Sequence, residues 1–470
     1  MCFLNRLFSA KSTLDKRYLV VDILGFKLKI SRRKMLITPM QLMREVNSLR
    51  NELDELKKIV VPELIKKNHL LVLKRLQTEA QFRKINVVLL LNSNSCAKFS
   101  YDSLYHALKN NPKFDVKILV SCTTGFERNK FEQKHFKEYL KNNYLYFKNK
   151  GYDVDLAYDL EKDEFKDLIN FNPDIVFYTE PWEIAPIHDI ENVSKFALTC
   201  FCIYGTSMHN GSYEYEQPFY RNLFKYFMDN QDAYDLMIQH GVDPDGLKVV
   251  GSIKLDAYLL PINETKTYWT SKDKKRVIYA PHHSFHKDTI LKYGTFDKNY
   301  TFFLDYAKKH QEIEFIFKPH PALKKEVVRH NLMSEQEINA YYQQWASLPN
   351  AQIIEDGNYY DMFRTSDLMI TDCNSFLSEY LPTQKPLILL ISENSVGYNV
   401  YGQKIIGGYY KSYTNDETEK LLDELLYKGN DPLSIKREDI LNTVFCWNKQ
   451  GVANEIINVL ENLIFEGDKN

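Results

Sequence analysis

The stretch Ile353–Ile391, IIEDGNYYDMFRTSDLMITDCNSFLSEYLPTQKPLILLI, decides the fold. It reads as a strand from Ile353, a short turn at Tyr359 and Tyr360, and a strand Leu368–Thr371. A polar turn Asp372-Cys373-Asn374-Ser375 follows, then a helix Phe376–Leu381 and, after Pro386, a strand Leu387–Ile391. The apolar runs are short and lie between turn residues, which is the pattern of buried parallel strands. Asp372, Asn374 and Ser375 are all N-cap residue types. A helix beginning where a parallel strand ends turns free N–H groups and a positive dipole end toward solvent, which suits phosphate. The same residues would serve equally as plain caps in any doubly wound sheet.

Working outward, 470 residues point to two domains. The chain is 44% hydrophobic and 26% charged, with a formal net charge of -1. That balance excludes the overall basicity of a nucleic-acid binder. The cysteines, Cys2, Cys96, Cys122, Cys200, Cys202, Cys373 and Cys446, form no CxxC and no zinc-type spacing with histidine. Cys200 and Cys202 alternate on an apparent strand and would share one core face. Unpaired thiols suit a reduced, cytoplasmic chain. No apolar run reaches transmembrane length, and MCFLNRLFSAKSTLDKRYLV has too weak an apolar core for a signal peptide. Its mixed basic and apolar residues suit peripheral contact with the inner membrane face or a small accessory hairpin. Arg32-Arg33-Lys34 and Lys272–Arg276 are basic clusters of the same kind.

The expected organisation has five parts. Residues 1–38 form an accessory segment in which RYLVVDILGFKLKISRRK makes two strands turning at Gly25. Residues 39–83 are helical. Leu42, Val46, Leu49, Leu53, Leu56 and Val60 follow an a/d heptad, and Pro62 is expected to interrupt it. This fits either a coiled coil that makes a homodimer or a helical hairpin packed on its own body. Residues 84–255 alternate strands and helices, with INVVLLLN, DVKILVS, DIVFYTE, ALTCFCIY and LKVVGS as strands. Residues 253–273 read as a linker. Residues 273–440 form a second α/β unit, and 441–470 are closing helices. Two Rossmann-like domains facing a cleft, with a terminal helix able to cross back, is the GT-B architecture, whose donor nucleotide sits on the second domain's strand ends. No glycine-rich dinucleotide fingerprint follows any strand, so no nicotinamide cofactor is expected.

Three turns at strand ends of the second unit carry chemistry: Ala280-Pro281-His282-His283-Ser284, Lys318-Pro319-His320-Pro321 and Thr371-Asp372-Cys373-Asn374-Ser375. Lys318 and the histidines can offer charge or hydrogen bonds to phosphate oxygens, and the helix after Ser375 adds backbone donors. Adjacent histidines on a strand point to opposite faces, so one of His282 and His283 is expected in the site. Glu379, one turn into the helix, is placed to reach a ribose or solvent.

The ordered motifs YAPHHS, IFKPHP and SDLMITDCNSFLSEYLPTQKPLILL resemble the CDP-glycerol glycerophosphotransferase family, which builds teichoic-acid-like polymers. The VVGSIKLDAY segment is similar to that family's interdomain segment. NVVLLLNSNSCAKFSYDSLYHAL with FDVKILVS looks like its first βαβ unit. The resemblance covers roughly Lys84 to Leu463. It implies a CDP-activated polyol phosphate donor, in-line attack on phosphorus by an acceptor hydroxyl, and no obligatory metal. His320 matches the family's second-domain histidine, and Asp372–Ser375 matches its Asp-x-Ser-Ser-type turn, with Cys373 and Asn374 as departures. The family's first-domain Trp-His-Gly-Thr turn corresponds to Ile203-Tyr204-Gly205-Thr206, so Tyr204 stands in the histidine's place, and His209 lies five residues on. A base of near-neutral pKa suits a hydroxyl proton, and an ordinary tyrosine does not.

The resemblance thus gives a catalytic set of His320, His209 and His282. Lys318, Pro281, His283, Ser284, Thr371, Asp372, Asn374, Ser375 and Glu379 would bind nucleotide and phosphate. The partners are a CDP-polyol or other nucleotide-activated donor and a glycan or lipid-linked acceptor. Two other readings stay open: a nucleotide-sugar glycosyltransferase of capsule or lipooligosaccharide synthesis, and a non-catalytic scaffold of a polysaccharide assembly complex.

Overall fold

The structure is a computed structural model that describes residues 8–12, 18–23, 26–31, 39–124, 130–211, 216–262, 268–271, 273–289, 291–355, 359–446 and 448–467. The chain divides into two compact units, Met1–Leu64 and Ile65–Asn470.

The first unit holds an antiparallel sheet in the order Phe8–Ser12, Tyr18–Ile23, Phe26–Ser31. The expected pair is present, with Tyr18 opposite Ser31 and Ile23 opposite Phe26. The Gly25 turn and the Arg32-Arg33-Lys34 cluster lie outside the described residues. The strand Phe8–Ser12 was not foreseen, because FSAKS is short and holds only two apolar residues. One helix, Pro39–Glu79, runs through the boundary of the two units with Pro62 inside it. The expected interruption at Pro62 is therefore absent. A proline in a helix interior costs about 3 kcal/mol, and the surrounding leucines, lysines and glutamates are strong helix formers that carry the helix across it. Leu49, Leu56 and Val60 of the heptad are exposed.

The second unit contains two parallel sheets. The first has seven strands in the order Leu247–Val249, Lys225–Met228, Leu198–Cys202, Ile175–Tyr178, Ile85–Leu91, Phe114–Val120, Val154–Leu156. Cys200 and Cys202 both enter its core, as their alternation required. Lys225–Met228 and Val154–Leu156 escape sequence reading because each has only three or four residues, at or near a sheet edge. The second sheet has six strands in the order Ala351–Ile353, Ile313–Phe317, Lys275–Ala280, Leu368–Thr371, Leu387–Leu390, Tyr410–Ser412. Both orders reverse beside the first strand in sequence, which is the doubly wound arrangement with its crevice at the reversal. Two parallel doubly wound sheets make this an α/β chain of GT-B type.

The opening stretch matches this sheet with two shifts. Tyr360–Thr365 is a short helix rather than a turn, and the helix after the polar turn is Asn374–Tyr380, starting two residues early.

The supposed linker is packed. Ile253–Leu259 forms a 3-10 helix whose Ile253 enters the first domain's core and whose Leu255 enters the second's. The terminal helix Val452–Glu461 crosses back and buries Val452, Ala453, Ile456, Ile457 and Leu460 in the first core. Asp256 caps it: its carboxylate accepts the Val452 N–H at 2.8 Å and the Ala453 N–H at 2.9 Å. Loss of a helix cap of this kind costs about 1–2 kcal/mol. Asp256→Ala should therefore raise amide hydrogen exchange selectively over Val452–Leu460. Exchange there that matches wild type would show that the cap does not hold the crossing helix.

Candidate active site

The donor-side turns leave the strands that flank the reversal point, Lys275–Ala280 and Leu368–Thr371, and their neighbour Ile313–Phe317. Thr371 binds the first two strands together, donating its hydroxyl to the Ala280 carbonyl at 2.7 Å and accepting the Cys373 N–H at 2.9 Å. Asp372, only 1% exposed, accepts the His282 N–H at 2.5 Å, the Thr295 N–H at 2.6 Å and the Thr295 hydroxyl at 2.8 Å. Burial raises its carboxyl to about 6 against the pull of those hydrogen bonds. Pro281 is buried, and its carbonyl accepts the His320 N–H at 3.0 Å. The three turns are thus knitted together from below.

The turns bring three imidazoles into one cluster. Ring centroids are 4.2 Å apart for His282–His283, 5.0 Å for His282–His320 and 4.2 Å for His283–His320. His282 Nδ1 receives the Ser284 hydroxyl at 2.7 Å, and Ser284 Oγ in turn accepts the Tyr293 N–H at 3.1 Å. His320 Nδ1 accepts the Ala322 N–H at 3.1 Å, which leaves the neutral ring's proton on Nε2. Burial holds all three below their ordinary value: His282 far below, His283 below, and His320 at about 3 with help from His283 and Lys318. The cluster is therefore neutral, so of the charge or hydrogen bonds that the sequence allowed, these rings offer hydrogen bonds. Its three ligand atoms lie close enough together to hold a metal ion.

A cleft of about 520 Å³ opens between the strand ends of the two domains. Its second-domain wall includes His282, His283, Ser284, Asn374 and Ser375, and its first-domain wall includes Tyr204, Thr206, Ser207 and His209. Both adjacent histidines line it, contrary to expectation, because they sit on the turn beyond Ala280 and not on the strand. Of the polar atoms in this wall, His283 Nδ1 and Asn374 Oδ1 are shut off from solvent and have no hydrogen-bond partner.

Several expected ligands stand behind the wall. His320 packs against the two lining histidines. Asp372 and Thr371 form the floor, where a satisfied buried carboxylate braces the turn and would repel a phosphate. Lys318 is buried, with Nζ 3.4 Å from the Glu355 carbonyl and 5.3 Å above the Tyr359 ring. Glu379 is buried, where one expectation had it in solvent. It pairs with Lys254 at 2.8 Å and accepts the Tyr359 hydroxyl. Burial alone would lower Lys254, but Glu379 and Tyr359 more than reverse it and hold the ammonium charged.

On the first-domain wall, Tyr204 lies beneath Lys98, whose Nζ is 5.3 Å from the ring centroid and which pairs with buried Glu180. His209 enters the cleft on a loop fastened by the second domain. Asn399 donates its N–H to the Met208 carbonyl and its side-chain amide to the Ser207 carbonyl, both at 2.9 Å. A side chain on Gly402 would meet the Met208 carbonyl at 2.6 Å, so the close approach requires glycine there. His209 Nδ1 lies 3.2 Å from Ser207 Oγ. Trp182, Phe201 and Tyr220 also line the cleft. None was singled out in the sequence, although Trp182 follows the end of strand Ile175–Tyr178, where a parallel sheet puts its crevice.

With this geometry in hand, the comparisons with known proteins are specific. Residues 258–457 match the sequence profile of the family CDP-glycerol:poly(glycerophosphate) glycerophosphotransferase. The family resemblance holds across that segment. It contains all three of these turns. No curated protein matches the chain. Among solved structures, a putative UDP-N-acetylglucosamine 2-epimerase from Listeria monocytogenes is 14% identical, with a TM-score of 0.52, covering 81% of this chain and 96% of its own. The UDP-GlcNAc 2-epimerase from Neisseria meningitidis, solved bound to UDP-GlcNAc, is 13% identical with a TM-score of 0.50, covering 80% and 99%. At that identity the likeness is one of fold. Among the described residues, no helix is long and apolar enough to cross a membrane.

The lowered His320 pKa has a measurable consequence. Between its folded value of about 3 and the ordinary 6.5, the unfolded chain binds the proton better, so stability falls as pH drops through that window. For this one imidazole the loss at about pH 5 is about 2 kcal/mol. Urea unfolding at about pH 7.5 and pH 5 should therefore show His320→Gln losing about 2 kcal/mol less than wild type on acidification. Equal losses in the two proteins would mean that His320 is not held neutral by burial.

Proposed function

We propose that this protein transfers glycerol phosphate, or a similar polyol phosphate, from a CDP-activated donor to a hydroxyl of a cell-surface glycan or teichoic-acid-like acceptor, releasing CMP. One observation carries the reading: the family-matched turns, with His282–Ser284 and Asn374–Ser375, face His209 across a single cleft between two strand-end crevices. The cleft volume of about 520 Å³ is in the range of small-molecule sites.

In this reading the donor diphosphate lies against the second-domain wall. Asn374, Ser375 and the neutral histidines give hydrogen bonds to its oxygens, and His320 backs the two histidines that line the cleft. The acceptor hydroxyl attacks the polyol phosphate phosphorus in line. A new O–P bond forms, the anhydride P–O bond breaks, and its electron pair leaves with CMP. His209, its Nδ1 turned to Ser207, takes the hydroxyl proton in the role that Tyr204 cannot fill at an ordinary pKa. The neutral cluster favours charge dispersal over the leaving phosphate by preorganised donors. The acceptor is held near the inner membrane face, and contact there is peripheral.

A second reading, glycosyl transfer from a nucleotide sugar, is supported by the aromatic first-domain wall of Trp182, Tyr204 and Tyr220, which suits a sugar ring. Purified protein incubated with CDP-glycerol, CDP-ribitol and a panel of UDP-sugars separates the two. Release of CMP is expected, reduced about 100-fold or more in His320→Ala and in His209→Ala. Release of UDP alone would replace the phosphotransferase reading with the glycosyltransferase one. No turnover with any donor would favour the scaffold.

The proposed partner for the exposed heptad face of Leu49, Leu56 and Val60 is a second copy of this chain. Sedimentation should give a dimer that becomes a monomer when Leu49 and Leu56 are changed to Asp. A wild-type monomer would rule that out.

A further inference from the structure

We propose that His286, Asp288 and His330 form a binding site for a divalent cation of the zinc class, separate from the cleft. One ligand atom from each residue lies within 4.8 Å of the other two. The two imidazoles now stack face to face, with centroids 4.0 Å apart and planes 15° from parallel, so one ring must turn about its side chain for both in-plane lone pairs to address one ion. Asp288 Oδ2 stands 3.4 Å from His286 Nδ1. Two imidazoles and a carboxylate with an open fourth position is a ligand set that suits zinc, whereas magnesium and calcium prefer oxygen alone.

The surroundings favour a cation. Glu326, buried, places Oε2 3.2 Å from His330 Nε2 and orients that ring as carboxylates orient metal-bound histidines. Asp297 Oδ1 is shut off from solvent and has no hydrogen-bond partner. Its carboxyl is raised by burial, with Lys298 and His286 among the charges opposing the rise. Three carboxylates therefore surround two imidazoles. The cation nearest Glu326 is Arg329, at 3.4 Å and mostly exposed. Zinc bound at about 2.0–2.1 Å from each ligand requires the ligand atoms to close by about 1 Å. Asp288 is exposed on its loop and can supply most of that movement.

The site has a clear structural consequence. His286 and Asp288 lie on the loop that continues from the cleft-lining Ser284 to Thr289. His330 directly follows helix Leu323–Arg329, which begins just after the His320 turn. An ion held there pins the two histidine-bearing turns to each other from outside the cleft.

Zinc titration of the full chain, followed by competition with a chromogenic chelator, tests this. Wild type should bind one equivalent. Asp288→Asn and His330→Ala should each weaken it about 10-fold or more, while His283→Ala should keep it. Circular dichroism checks that His330→Ala is folded, and if it is not, the exposed Asp288→Asn decides. No stoichiometric binding by wild type would overturn the site. So would binding that survives Asp288→Asn but is lost in His283→Ala, because the ion would then sit on the cleft histidines.

Discussion

The Asp372 carboxylate accepts hydrogen bonds from the His282 N–H and from both the N–H and the hydroxyl of Thr295. It does so at the point where the second sheet reverses its strand order, and so joins the end of one central strand to the turn leaving the other. Thr295 precedes helix Phe296–Lys309, so the same carboxylate also fixes where that helix starts. Gly294 lets the loop fold back on itself, since a side chain there would meet the His282 carbonyl and the Phe285 N–H at 2.8 Å. The positions of His282, His283 and Ser284 follow from this packing. A buried carboxylate is costly unless its hydrogen bonds are satisfied, and three short bonds from fixed donors meet that requirement.

A second constraint holds the two domains to one cleft. The chain crosses between them at Ile253–Leu259, and that short segment carries two anchors. Asp256 caps the terminal helix, which packs on the first core. Lys254 pairs with Glu379 on the helix that begins at Asn374. One short 3-10 helix is thus tied to the terminal helix and to the helix whose first residues line the cleft. The His209 loop is fastened in the opposite sense, by Asn399 of the second domain. His209 is therefore positioned by the second domain.

Much of this was legible in the sequence. The long apolar runs located the central strands, and the alternating Cys200 and Cys202 gave the correct core face. Strand ends carrying Pro-His-His and Asp-Cys-Asn-Ser pointed to residues that line the second-domain wall of the cleft. What failed had specific causes. Pro62 suggested a break, but a local penalty of about 3 kcal/mol does not end a helix whose neighbours favour it. Val154–Leu156, with only one buried residue, carries too little pattern to read. Glu379 and Lys318 looked like ligands because residue type says nothing about burial, and each has a partner far away in sequence, Lys254 and the Glu355 carbonyl. The two histidines were assigned opposite faces by a strand rule that ceases to apply one residue beyond the strand end. Trp182 and Tyr220 were missed because aromatic residues are abundant in this chain and only the third dimension separates a cleft wall from a core.

The neutrality of the histidine cluster bears on how such a wall handles a diphosphate. Among the lining residues none is Lys or Arg. Lys318 and Lys254, the nearby cations, are committed to Tyr359 and Glu379 beneath the surface. Returning an imidazole from about 3 to its ordinary 6.5 needs about 5 kcal/mol of favourable interaction with the charged form. Two phosphate charges at about 6–8 Å in a site of effective dielectric about 20 supply roughly 4–5 kcal/mol. The two quantities are close, so a diphosphate bound there would bring His320 to the edge of protonation near neutral pH. Its departure would remove that field and return His320 to neutrality. A wall built this way has little charge of its own to hold a product, and its electrostatic strength exists only while the phosphates are in place. That property suits a site that must stabilise a leaving phosphate and then release it. It depends on the burial that Asp372, Gly294 and the two central strands impose on three adjacent turns.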